Sequence, residues 1–164
     1  MILNKHSVEK ACSIAKEKHK WQYYGNQDYF DYHILGVVKK VESMCKIMHI
    51  GNSSLSYYKL IIIAYLHDIV EDTNYSLQEI GDEFGSDIES CIRVITKVKD
   101  EDYLKYLERV RGNHYTNLVK QCDVSFNLSE TNKVLKTEPN HKRMLHLKVK
   151  YEKAQEYLSG RNSK

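Results

Sequence analysis

Apolar residues along this chain recur every three or four positions and almost never every second one, a period that predicts helices. Val8, Ala11, Cys12 and Ala15 share one helical face, with Ser7 placed as an N-cap. Ile34, Val37, Val38, Val41, Met44, Cys45 and Met48 form a longer stripe that Gly51 should stop. Leu60, Ile61, Ala64 and Leu66 belong to a third helix, apolar nearly all round, which predicts a central position. Ser76 and Glu79 have capping-box spacing ahead of Leu77, Ile80 and Phe84, and Gly85 follows as a stop. A second box, Ser86 with Glu89, is expected before Ile88, Cys91, Ile92 and Ile95. Leu104, Leu107 and Val110 precede Gly112, and Asn113 can cap the helix that carries Leu118, Val119, Cys122 and Phe126. Residues 129–141 are polar, hold the single proline, Pro139, and read as a loop. A last helix is expected from about Lys142 to Leu158, with residues 160–164 as a disordered tail. No segment alternates cleanly enough for a strand. The expected architecture is all-α, one compact helical bundle over residues 1–164.

Composition narrows the classes of function. A chain of 164 residues fits one domain and can bury a core without disulfide staples. Twenty-five basic residues against 22 acidic ones leave a net charge of +3. That balance gives no reason to expect nucleic acid and suits an anionic small molecule drawn to a local basic pocket. The apolar run from Leu60 to Leu66 is far short of the ~20 residues of a membrane span, so no membrane association is expected. Lys5, Glu9 and Lys10 stand where a signal peptide would be apolar, so a cytoplasmic location is expected. Cys12, Cys45, Cys91 and Cys122 form no CxxC pair and read as buried, reduced thiols on helix faces. Tyrosines such as Tyr57, Tyr58, Tyr103 and Tyr106 sit at helical positions that packing explains.

Candidate chemistry concentrates in three segments. The third helix runs into His67-Asp68, and Glu71 and Asp72 follow within five residues. Burying such a cluster without a cation would be costly, because neighbouring carboxylates repel and some would have to hold protons. A divalent metal resolves the conflict; a solvated helix end is the alternative. Upstream, Asp28-Tyr-Phe-Asp-Tyr-His33 places a histidine just before the second stripe. Downstream, Asp123 and Asn127 lie four apart on one face of an otherwise apolar helix, where a partly buried aspartate needs a partner.

Together these segments resemble the HD-domain phosphohydrolases, and within them the single-domain (p)ppGpp hydrolases of the RelA/SpoT type, including the small Mesh-type enzymes. Ala11 and Ala15 with His19-Lys-Trp-Gln22 resemble the opening AxxxAxxxHxxQ. His33 stands at the first metal-ligand position, and His67 through Thr73 form a full HDxxEDT. Thr96-Lys97 resembles the TK step, Lys120 through Asn127 resembles KxxDxxxN, and Lys150-Tyr151 through Leu158 resembles the closing KYxxAxxYL. The resemblance implies an HD-domain bundle in which His33, His67, Asp68 and Asp123 hold one divalent ion. Mixed nitrogen and oxygen ligation suits manganese, the leading choice, as well as iron, zinc or magnesium. It further implies that Glu71 and Asp72 stay off the metal and handle the attacking water and its proton. Asn127, Lys97 and Tyr24 are the implied substrate contacts.

Four positions depart from the family. Tyr24-Gly25 replaces an Arg-Lys pair that grips the guanine nucleotide, although Tyr24 can still stack on a base. Val124 replaces an arginine, and Glu130, with Thr131 beside it, replaces a threonine. The metal machinery is complete and the base-recognition half is altered. The leading expectation is therefore metal-dependent hydrolysis of a small-molecule nucleotide, (p)ppGpp at its 3′-pyrophosphate. The alternatives are a phosphatase of another nucleotide or phosphorylated dinucleotide cofactor, and a nucleotide-binding module without turnover. The sequence does not set the oligomeric state.

Overall fold

A computed structural model describes residues 2–160. Among them, nine helices follow one another: α1 Lys5–Lys18, α2 Leu35–Ile47, α3 Leu55–Leu66, α4 Ile69–Asp72, α5 Leu77–Phe84, α6 Ser86–Ile95, α7 Tyr103–Arg111, α8 His114–Thr137 and α9 Lys142–Leu158. The fold is all-α, as the periodicity predicts. Helix α3 is the hub: α1, α2, α6 and α8 all pack on it, and residues 59–64 and Leu66 are buried. That burial explains why its sequence is apolar on every side. Of the expected tail, Gly160 is placed in a turn, its amide donating to the Tyr157 carbonyl, and residues 161–164 lie outside the described residues. No described helix is long and apolar enough to cross a membrane.

Several local expectations are met. The Ser76–Glu79 capping box is formed, and Gly85 ends α5 with φ +87°, a conformation suited to glycine. The Asn113 side chain caps α8 by accepting from the Tyr115 and Thr116 amides. All four cysteines are free, three of them buried and Cys12 half-buried.

Others are corrected. Asn4, not Ser7, caps α1; Ser7 is the third helical residue, and its hydroxyl oxygen accepts from the Asn4 amide. No second box forms at Ser86, because Gly85 itself precedes α6 and Glu89 pairs with Arg93 along the helix. The stripe of α2 ends before Gly51, at Met48 and the left-handed His49. Two-residue strands do occur, β1 Tyr23–Tyr24 against β2 Gln27–Asp28, turned by Gly25 at φ +61°. They are too short for alternation to register.

The largest correction concerns residues 129–141. Helix α8 runs on to Thr137, leaving only residues 138–141 outside helix. Two of its polar residues are engaged rather than solvated. Thr131 is buried and donates to the Asn127 carbonyl, and Glu130 accepts from Tyr32. Helix α9 folds back along α8 and covers this extension. Tertiary packing thus overrides a loop-like composition.

Candidate active site

Three helix ends and faces converge on one point. His33 lies in a π-helical turn, Phe30–Ile34, that leads into α2. Such turns are uncommon and concentrate at functional sites. His67 ends α3, Asp68 begins the turn into α4, and Asp123 sits mid-way along α8. His33, His67 and Asp123 are all buried. One ligand atom from each of these three lies within 4.8 Å of the others. Asp68 Oδ2 joins them, 3.2 Å from His33 Nε2 and 3.0 Å from His67 Nε2. Asp123 Oδ1 stands 3.5 Å from His33 Nε2 and 3.9 Å from His67 Nε2.

The donor set fits a divalent cation. His67 Nδ1 is 2.8 Å from the Ala64 carbonyl, which fixes Nδ1 as the protonated nitrogen and turns the Nε2 lone pair inward. His67 Nε2 is buried without a hydrogen-bond partner, so its neighbours lie close but off line. Burial alone would raise Asp68, yet His67 and His33 beside it hold its carboxyl well below the usual range. Burial opposes protonation of His67, but Asp68 and Asp123 push it up to about 9. The pocket selects positive charge, and a metal bound by neutral imidazoles would supply it.

A surrounding layer of side chains orients these groups. Tyr29 Oη donates to Asp68 Oδ2 at 2.7 Å and to Asp72 Oδ2 at 3.2 Å. Burial and then the Asp68 charge raise the Tyr29 phenol, so it stays a donor. Lys120 Nζ lies 2.8 Å from Asp123 Oδ2, and Asn127 Nδ2 donates to Asp123 Oδ1 at 2.6 Å. Asn127 Oδ1 accepts from Tyr24 Oη at 2.9 Å, and the Tyr24 ring stacks on His33 at 5.3 Å, 4° from parallel. His19 Nδ1 is 2.7 Å from Gln22 Oε1, and Gln22 Nε2 donates to the Asp72 carbonyl at 2.7 Å. The HxxQ element therefore pins the α4 turn. Phe126 presses its edge on His33, and its ring lies where a Cβ at Gly36 would fall. Gly36 thus admits the aromatic that braces the histidine.

Glu71 and Asp72 project from α4 beside the cluster. Glu71 Oε2 accepts from the Lys97 backbone amide at 2.9 Å. Burial, then the nearby Asp68 charge, raises both carboxyls above their ordinary values despite opposing hydrogen bonds. His33, Asp68, Glu71, Asp72 and Asp123 line a cavity of about 290 Å³, together with Lys97, Lys120, Lys150, Tyr103, Tyr106 and Tyr151. A second cavity of about 430 Å³ shares Tyr24, Asn127 and Tyr151 with the first. It extends to Glu130, Val134, Arg143, Met144 and Leu147.

All nine residues singled out from sequence therefore lie at this cavity or its rim: His67 behind the lining, the rest on it. Two of the residues expected to contact substrate have local duties. Asn127 bridges Asp123 and Tyr24, and Lys97 holds Glu71 through its amide. Tyr29 was missed, although it stands four residues before His33 and so shares its helical face. Lys120 and Lys150 were quoted within motifs without a role. Tyr103 and Tyr106 were read as packing; Tyr106 is indeed buried, with Oη on the Ile95 carbonyl, but both rings also face the cavity.

No model of a known protein family matches the chain. Individual relatives do. The guanosine-3′,5′-bis(diphosphate) 3′-pyrophosphohydrolase MESH1 of Xenopus tropicalis is 30% identical over 133 residues, covering 75% of this chain and 68% of the relative. The protein of that name from Danio rerio is 28% identical over 134 residues, 76% of this chain and 68% of its own. A solved structure, described as a metazoan orthologue of SpoT that hydrolyses ppGpp, superimposes with a TM-score of 0.70 at 20% identity. It covers 96% of this chain and 88% of the other, and supports the fold. The chain belongs to the MESH1-type family of guanosine-3′,5′-bis(diphosphate) 3′-pyrophosphohydrolases.

Proposed function

We propose that this protein is a metal-dependent hydrolase that removes pyrophosphate from the 3′ position of guanosine 3′,5′-bis(diphosphate). The observation that carries the proposal is the buried His33–His67–Asp68–Asp123 cluster with Glu71 and Asp72 beside it in one cavity. Family membership supplies the substrate, and the geometry supplies a reason for the chemistry. We assign the metal as manganese, from the mixed imidazole and carboxylate set. Bound there, the ion would make water a nucleophile near neutral pH and polarise a phosphoryl oxygen.

The protein's own groups do the rest. His33, His67, Asp68 and Asp123 fix the site, and Tyr29, Lys120 and Asn127 hold the carboxylates in place. Glu71 and Asp72, raised by burial, are suited to take the proton of the attacking water. The water oxygen bonds to the phosphorus attached at O3′, and the P–O3′ bond breaks. The proton taken up returns to O3′, so the products are GDP and intact pyrophosphate. The second cavity, behind Tyr24 and Asn127, is where we place the nucleoside. Tyr24 is committed to His33 and Asn127, and we read it as the wall between the phosphate and nucleoside ends.

The test is a panel of nucleotides offered to the manganese-loaded protein, with products identified by mass. Pyrophosphate from ppGpp, lost on chelation, is the expected result. Orthophosphate released from another nucleotide, with ppGpp untouched, would reassign the substrate.

A further inference from the structure

The catalytic cavity carries both signs of charge. Its lining brings the acids and His33 together with three lysines, Lys97, Lys120 and Lys150. Two of those ammonium groups are already engaged. Lys120 pairs with Asp123, and Lys97 Nζ donates to the Val98 carbonyl at 3.3 Å. Lys150 differs: among the described residues its ammonium has no carboxylate, carbonyl or hydroxyl partner, only the rings of Tyr103 at 4.6 Å and Tyr151 at 5.6 Å. It is half-buried, and burial together with Lys120 disfavours its charge. An ammonium held by aromatic faces, near two other cations and short of acceptors, is a site awaiting an anion.

We propose that Lys150, held on the rings of Tyr103 and Tyr151, is a specificity residue that binds a diphosphate group of the substrate in this cavity. The clamp limits the rotamers of a long side chain, so less freedom is lost when the anion arrives. The diphosphate is either the 3′ group that leaves or the 5′ group that stays, and both offer the same oxygens. The inference rests on the substrate reading above, but its test separates the two.

Lys150→Met removes the charge at similar length, and Lys150→Arg keeps it. With manganese-loaded proteins, Lys150→Met should raise KM for ppGpp roughly 10- to 100-fold, the range of one charge-assisted contact, while kcat falls less. Lys150→Arg should recover much of the loss. Metal content should be the same in all three. Calorimetric titration of each with pyrophosphate and with GDP locates the group. Weaker pyrophosphate binding in Lys150→Met assigns Lys150 to the leaving 3′ group; weaker GDP binding assigns it to the 5′ group. If wild type turns over ppGpp and Lys150→Met matches it in KM and in both titrations, the inference fails and the enzyme reading stands. If wild type does not hydrolyse ppGpp but Lys150→Met loses pyrophosphate binding, the diphosphate site stands and the substrate reading falls. Failure of the wild-type protein to bind either diphosphate would overturn the inference.

Discussion

The two walls of the cavity are built on opposite plans. On the wall of the proposed metal ligands, each group that matters is held by another. Asp123 is gripped by Lys120 and Asn127, Asp68 by Tyr29, and His67 by a backbone carbonyl. On the second wall, Lys150 rests on aromatic rings and Tyr103 and Tyr151 have faces rather than forks to offer. The first wall must hold a fixed geometry before any substrate arrives, so it is rigid and redundant. The second is completed by the substrate's own phosphates. Substitutions on the first wall should therefore act on metal content and kcat, and those on the second on KM.

The sharpest break should come from the ligands themselves. His67→Ala and Asp123→Ala should each lose stoichiometric metal, read by elemental analysis, with activity falling to background. Retention of a full equivalent of metal would remove that residue from the ligand set. Next in size are Glu71→Gln and Asp72→Asn, expected to lower kcat by roughly 10²–10⁴-fold with metal content nearly unchanged. Metal loss in either would make that residue a ligand instead. Tyr29→Phe deletes the donor to Asp68 and Asp72 and should weaken metal affinity or activity by about 10- to 100-fold, the usual reach of groups that orient ligands. A wild-type metal titration and rate would show that Tyr29 only packs. Smallest is Gly36→Ala, which places a methyl against Phe126. It should destabilise the fold by about 1–3 kcal/mol in denaturant titrations, and more than Gly51→Ala, where nothing lies near. Equal stability of the two variants would mean that Phe126 moves freely and does not brace His33.

The same contrast explains what was legible in sequence. The convergence of the HDxxEDT run with the spaced His33 and Asp123 could be read because few residue types suit a buried, charged cluster. The course of α3 was readable because residues 60–64 and Leu66 are buried and all apolar. Residues 129–137 were opaque for the opposite reason. Glu130 and Thr131 look like a solvated loop until Tyr32 and the Asn127 carbonyl are seen beside them. The π-helical turn at His33 leaves no mark in apolar periodicity, and so Tyr29 could not be placed on Asp68 and Asp72. Tyr24 shows a subtler limit. The pattern marked it as a departure from a basic pair, but its bond to Asn127 and its stack on His33 exist only in three dimensions.

The central claim is that one buried metal site cleaves the 3′-pyrophosphate intact by attack of water on phosphorus. Hydrolysis of ppGpp by the manganese-loaded protein in ¹⁸O-water, followed by mass spectrometry, tests it most directly. The account predicts pyrophosphate carrying one ¹⁸O beside unlabelled GDP, and no product after chelation. Label in the 3′ hydroxyl of GDP, release of orthophosphate, or turnover that survives removal of the metal would contradict it.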